Sequence, residues 1–145
     1  MRLAVVVPAR DEQDRLPACL ESLAPFRAAG DAIVVVDNGS RDATGAIARE
    51  RGFETIVEPQ PGRGHAVAAG YRAVRGRASW VLVIHADMIV ALGTREALVA
   101  AIAAAPESER GPSRRWSHFG SLYGKRFDCR CCSCRWIRRR GHRNG

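Results

Sequence analysis

The sequence predicts an α/β fold, a doubly wound and mainly parallel sheet, on three observations. Short β-branched runs alternate with longer segments whose apolar residues recur at helical spacing. The order of these segments is β-α-β-α-β-α-β-α, the alternation that builds parallel sheets. The strand runs are continuous rather than alternating in polarity, which suits strands covered on both faces.

Each element has its own signal. Leu3–Val7 is a β-branched apolar run that ends at Pro8. Arg15–Phe26 places Leu16, Leu20 and Leu23 on one helical face with Cys19 beside them, and Pro17 suits the first turn. Ile33–Val36 reads as the second strand. Ser40 or Asp42 can cap the next helix, which is expected to run to about Arg51 and stop at Gly52. Phe53–Val57 is a short third strand, Gly62–Gly64 a loop, and His65–Val74 a helix turning Ala66, Val67, Ala69, Ala73 and Val74 inward. Trp80–Ile84 is the fourth strand, and the alanine-rich Thr94–Ala105 the last helix. Chain chirality then makes the crossovers right-handed.

The 145 residues suit one domain with one core. No apolar run approaches the roughly 18 residues that span a bilayer. MRLAVVVPAR reads as a first strand and not as a signal peptide, so a cytoplasmic location is expected. The net charge of +8 is unevenly placed. Residues 1–105 hold 12 arginines and 12 acidic residues; the whole excess lies in residues 106–145, with four of the five cysteines. The division expected is therefore a domain over 1–105 and a basic, Cys/Arg-rich, irregular tail over 106–145. A pI of about 10.2 describes the tail, so the domain is not read as a nucleic-acid binder. Cys129, Cys131, Cys132 and Cys134 are packed too tightly for ordinary zinc pairs unless interleaved.

Three strands finish on unusual polar residues. The first runs into Pro8-Ala9-Arg10-Asp11-Glu12, the second into Asp37-Asn38-Gly39-Ser40, and the fourth into His85-Ala86-Asp87. In a parallel sheet these ends share one edge, where ligands bind. Acceptors (Asp11, Glu12, Asp37, Asp87) and donors (Arg10, Arg63) together suit a ligand with a ring N–H, sugar hydroxyls and a phosphate. A carboxylate facing a diphosphate needs a divalent cation between them, and hard oxygen ligands favour Mg²⁺ or Mn²⁺. Pro61-Gly62-Arg63-Gly64 precedes a helix, but it lacks the Gly-Lys-Ser/Thr of a phosphate-binding P-loop and follows the third strand rather than the first.

Taken together, VVVPARDE (Val5–Glu12), IVVVDNGSRDAT (Ile33–Thr44), GRGHAVAAG (Gly62–Gly70) and VIHAD (Val83–Asp87) resemble, in order and spacing, the family 2 glycosyltransferases of the GT-A fold. The resemblance covers residues 1 to about 90 and fades beyond 105. It implies a nucleotide-diphospho-sugar donor, a UDP- or GDP-sugar, and an acceptor that the sequence does not identify. Pro8, Ala9, Arg10 and Glu12 would contact the nucleoside, and Asp37 would accept from the base N–H. Arg63 and Gly64 would line base and ribose. Asp87 matches the last carboxylate of the family's Asp-x-Asp motif, and His85 stands where its first Asp usually is; together they would hold Mn²⁺ or Mg²⁺. The implied reaction is an inverting displacement with a general base for the acceptor hydroxyl. No motif for that base is found in this chain.

Blander readings stand beside these. Asp87 can be a strand-end cap, Asp37 a turn former, Arg10 a solvated surface residue and Cys19 plain core. The family's domain is longer than this chain, and the tail has the composition of a GC-rich coding sequence read out of frame. One reading is thus a truncated or frameshifted sugar-nucleotide-binding fragment without turnover. Another is a genuine basic arm for nucleic acid or anionic lipid, with peripheral membrane association as its membrane mode.

Overall fold

The computed structural model describes residues 1–105. The tail, its cysteines and the boundary expected near residue 105 lie outside the described residues. Four parallel strands form one sheet in the order β3-β2-β1-β4. β1 is Leu3–Ala9, β2 Ala32–Asp37, β3 Glu54–Val57 and β4 Trp80–Val83. β1 pairs with β2 from Ala4↔Ala32 to Ala9↔Asp37, and with β4 from Leu3↔Trp80 to Val6↔Val83. β2 pairs with β3 from Val34↔Glu54 to Asp37↔Val57.

Side chains alternate across a strand, so β1 feeds two cores. Leu3, Val5, Val7 and Ala9 face the larger one, which is closed by helices α1 (Leu16–Ser22), α2 (Ala24–Ala28), α3 (Thr44–Glu50) and α5 (Thr94–Ala104). Ala4 and Val6 face the smaller one with Val34 and Val36, under α4 (Arg63–Val74). The split follows from handedness. Steps β1→β2→β3 run one way with their helices on one face. Step β3→β4 runs back over β2 and β1, and it stays right-handed only because its helix changes face.

The alternation and order of elements match the sequence-based expectation, with local differences; β1, for one, continues through Pro8 to Ala9. The helix expected over Arg15–Phe26 is two, broken at Leu23 (φ −85°, ψ 3°). Pro25 lacks the N–H that would continue the ladder, although Leu20, Leu23 and Phe26 all stay buried. α3 begins after Ala43, so neither Ser40 nor Asp42 stands at the N-cap position; Asp42 still accepts from the Thr44 amide, the first of α3, at 2.9 Å, whereas Ser40 accepts from the Asp11 amide. α4 begins at Arg63, two residues earlier than expected, because Gly62 at φ 126° turns the chain there. β3 is an edge strand with Val57 61% exposed, so its apolar run is not covered on both faces.

At the amino-terminal edge of the sheet, Asp31 is buried. Its carboxylate accepts from Arg95 Nε at 2.6 Å, from a second Arg95 nitrogen at 3.2 Å, and from the Leu3 amide at 2.9 Å. This bidentate pair fastens the start of α5 to β1. Nothing in the spacing of residues 31 and 95 announces it.

Candidate functional site at the carboxyl edge

The carboxyl edge gathers the three polar strand ends. Ala9 lies opposite Asp37 in the ladder. β4 makes its last pair at Val83↔Val6, and the Ile84 amide still donates to the Val6 carbonyl at 3.0 Å. The chain then turns, with the Met88 amide donating to the His85 carbonyl at 3.0 Å. The turn His85–Met88 therefore leaves the sheet beside Pro8–Arg10, and Asp37 and Asp87 stand on either side of the end of β1.

Pro8 and Ala9 are buried and form the floor, whereas Arg10 is exposed, its Nε 3.9 Å from Asp11. Glu12 is half-buried and carries a 3.4 Å ion pair to Arg15. Arg63 and Gly64 are exposed in the first turn of α4. His85 is half-buried and Asp87 exposed. The Asp87 carboxylate has no hydrogen bond or ion pair among the described residues. A strand-end cap would bond a nearby amide, so that bland reading of Asp87 lacks its bond.

Asp37 does two things. One carboxylate oxygen accepts from the Ser40 amide at 2.9 Å, which is the turn-forming role. The other faces Gly45 in α3: a Cβ there would overlap that oxygen and stand 3.2 Å from the carboxyl carbon. Only glycine at position 45 leaves the carboxylate where it is.

How the walls are held is not signalled by any motif. The β1–α1 loop and the β2–α3 loop are tied by five hydrogen bonds. The Asp11 amide donates to Ser40 Oγ at 3.1 Å, the Glu12 amide to Thr44 Oγ1 at 2.9 Å, and the Gln13 amide to Asp42 at 3.1 Å. In return Asp11 accepts from the Arg41 amide at 2.7 Å, and Gln13 from the Ala43 amide at 3.2 Å. Asp11 takes φ 53°, a left-handed conformation that Asp tolerates better than most residues. The Thr44 hydroxyl bonds Asp42 and, with the Thr44 and Gln13 amides, holds its carboxyl below the ordinary value. The available signal was the density of short polar side chains in Ser-Arg-Asp-Ala-Thr, which bond backbone in preference to starting a helix.

Cys19 lies beneath the β4 turn, its Sγ 3.5 Å from the His85 carbonyl. It is core, as expected. Burial first, and the Asp87 charge second, push its thiol up to about 11. A raised thiol pKa favours the folded state below the ordinary value, and that stabilisation is lost as pH climbs through about 11. Alkylation of Cys19 by iodoacetamide at pH 8, followed by peptide mass mapping, is expected to track global unfolding in urea; rapid labelling of the native chain would contradict this placement.

Among the described residues no three metal-ligating side chains converge. The chain offers a pair, Asp87 and His85, at one turn. One carboxylate with a neighbouring imidazole does not cage an ion. It does suit a Mg²⁺- or Mn²⁺-type ion that takes most of its ligands from phosphates and water.

Residues 4–116 match the model of Glycosyl transferase family 2. The chain belongs to this family. The match runs through the three polar strand ends and the loop before α4. Among curated relatives, uncharacterized glycosyltransferases of Mycobacterium tuberculosis and Mycobacterium bovis are 40% identical over 98 residues, covering 68% of this chain and 42% of theirs. The chain thus spans less than half the length of these relatives. Glucosyl-3-phosphoglycerate synthase from M. tuberculosis, solved with Mn²⁺, uridine diphosphate and phosphoglyceric acid, is 26% identical with a TM-score of 0.55, over 61% of this chain and 34% of that one. S. aureus TarS (residues 1–349) shares the fold, with a TM-score of 0.63 at 22% identity over 71% of this chain and 32% of that one. The fold is therefore GT-A.

Proposed function

We propose that this chain carries the donor side of a glycosyltransferase reaction, binding a nucleotide-diphospho-sugar along the carboxyl edge. The observation that carries the reading is the placement of Asp37 and Asp87 on either side of the end of β1, with Pro8 and Ala9 between them and Arg10 and Glu12 following in the β1–α1 loop. Asp37 accepts from the base N–H. Arg63 and Gly64 line base and ribose from the start of α4. Asp87, with His85, holds Mn²⁺ or Mg²⁺ against the diphosphate. The cation supplies charge stabilisation to the departing diphosphate. A UDP-sugar is the favoured donor, because the synthase that is 26% identical is solved with uridine diphosphate and Mn²⁺. The acceptor hydroxyl needs a general base, and none of the residues assigned above takes that role.

Calorimetric titration of UDP and GDP, with and without Mn²⁺, tests the reading. Wild type is expected to bind UDP only with Mn²⁺. Asp87→Ala is expected to weaken this by at least about tenfold, the scale seen when even an outer partner of a metal ligand is lost. A folded wild-type chain that binds neither nucleotide would overturn the proposal. Gly45→Ala is the subtler test. The new methyl displaces the Asp37 carboxylate, so UDP is expected to bind about tenfold more weakly, the worth of one hydrogen bond to a charged group, while the chain stays folded. Unchanged UDP affinity in that variant would remove Asp37 from the base-binding role.

A second reading, donor binding without turnover, follows from the residues assigned above, which hold a donor and include no base for the acceptor hydroxyl. It predicts UDP binding with neither donor hydrolysis nor transfer, and release of UDP from a UDP-sugar separates the two.

A further inference from the structure

We infer that Asn38 is a positioning residue that sets the nucleotide-facing loop before α4; this rests on the donor-site reading above. Asn38 follows Asp37 in the sequence and is 5% exposed. Its side chain does not point into the crevice chemistry; it is consumed by one neighbouring loop. The amide nitrogen donates to the Glu58 carbonyl at 2.9 Å and to the Gln60 carbonyl at 2.6 Å. The amide oxygen accepts from the Gly62 N–H at 2.9 Å. Its own backbone N–H donates to the Ala9 carbonyl at 2.9 Å. Residue 38 thereby joins three segments: the end of β1, the end of β2 and the 58–62 loop.

The chemistry of this clamp is specific. Two carbonyls need two donors on one atom, and an amide N–H needs an acceptor on the same carbon. Among side chains of this length only a carboxamide offers both. An aspartate of the same shape keeps the acceptor but turns its other oxygen on two carbonyl oxygens. The clamped loop is the one that ends in Gly62 at φ 126°, where α4 starts and Arg63 and Gly64 take their places. Gln60 is held further by its amide donating to the Glu58 carboxylate at 3.0 Å. α4 itself is fixed on the sheet by Ala66, Ala69 and Val74, so the clamp governs the loop and the first turn rather than the whole helix.

The experiment is a double-mutant cycle on the full chain, read by titration of UDP and GDP in Mn²⁺. Asn38→Ala and Asn38→Asp are each expected to weaken the bound nucleotide about tenfold. Arg63→Ala is expected to weaken it as well. The double variant Asn38→Ala/Arg63→Ala is expected to bind no more weakly than the worse single variant, because both act through the same loop. Asn38→Ala combined with Asp87→Ala is expected to show full additivity. A general structural role would not give coupling to Arg63 alone. Wild-type affinity in Asn38→Asp, no effect of Arg63→Ala, or full additivity with Arg63→Ala would each overturn the inference while leaving nucleotide binding intact. Failure of wild type to bind either nucleotide overturns the donor-site reading and this inference with it. Should Asn38→Ala not fold, Gly62→Ala disturbs the same loop from its other end and takes its place in the cycle.

Discussion

Arg95→Met is expected to destabilise the chain by about 3–5 kcal/mol, the scale for removing one partner of a buried ion pair. The Asp31 side chain is fully buried, and the Arg95 side chain is 15% exposed. Exposed pairs such as Arg77–Glu54 are worth about 0–1 kcal/mol, so they do not compete with this one. The cost comes mostly from what is left behind. Without the guanidinium, the Asp31 carboxylate keeps one donor, the Leu3 amide, and has little access to water. Replacing both ends, Asp31→Leu with Arg95→Met, should recover most of the loss, because desolvation of the two charges disappears together. A residue of about 1 kcal/mol should remain, since the Leu3 amide then lacks its acceptor. Urea denaturation of the three variants measures this. A loss below about 1 kcal/mol in Arg95→Met would show that the pair is not a strong constraint. The pair lies at the amino-terminal edge, away from the strand ends that carry the candidate site. Whatever Arg95→Met protein remains folded is therefore expected to bind UDP as wild type does.

The same pair shows why some of this fold was legible in the sequence and some was not. Continuous apolar runs report burial on both faces, and that information is local; β1 and β2 were readable for this reason. Helical spacing is local too, and Leu20, Leu23 and Phe26 stay buried across the break at Leu23. The break itself was signalled by Pro25, but the apolar periodicity ran through it. The candidate site was legible as residue types at strand ends, because parallel topology alone brings Asp37 and Asp87 to one edge. What was not legible is how the pieces are joined. Asp31 and Arg95, Asn38 and Gly62, Asp11 and Ser40 are pairs distant in sequence, and each side chain taken singly reads as an ordinary turn or surface residue. Ser40 and Asp42 make the point directly. Their chemistry as bonding partners of backbone amides was anticipated, yet the amides they take belong largely to the facing loop. A glycine is equally silent: Gly45 is demanded by the Asp37 carboxylate and Gly70 by Val6 and Val36 of the sheet.

Gly70→Ala is expected to destabilise by about 2–3 kcal/mol, against the usual direction for that change in a helix. Ala is favoured over Gly in helix interiors by about 1 kcal/mol, so an unobstructed position would gain stability. At position 70 a Cβ would overlap Val6 Cγ1 and stand 3.0 Å from Val36 Cγ2. Both valines are fully buried in the two strands at the centre of the sheet, and neither can rotate away into free space. Overpacking of this kind costs about 1–3 kcal/mol or more, and here it outweighs the propensity gain. Helix α4 would have to lift from the sheet, and it is the helix that closes the smaller core. Val6→Ala should relieve the overlap, so the double variant is expected to be less destabilised than the sum of the singles. Gly64 provides the control on the same helix. A Cβ there meets nothing within 4 Å and its φ is not positive, so Gly64→Ala is expected to be neutral or stabilising by up to about 1 kcal/mol. Thermal melts of the two glycine variants should therefore shift in opposite directions. If Gly64 borders the nucleotide, the stabilised Gly64→Ala chain should also bind UDP more weakly. Matching shifts in the two melts would contradict the close approach of α4 to β1 and β2. A Gly64→Ala chain with unaltered UDP affinity would move the nucleotide away from the first turn of α4.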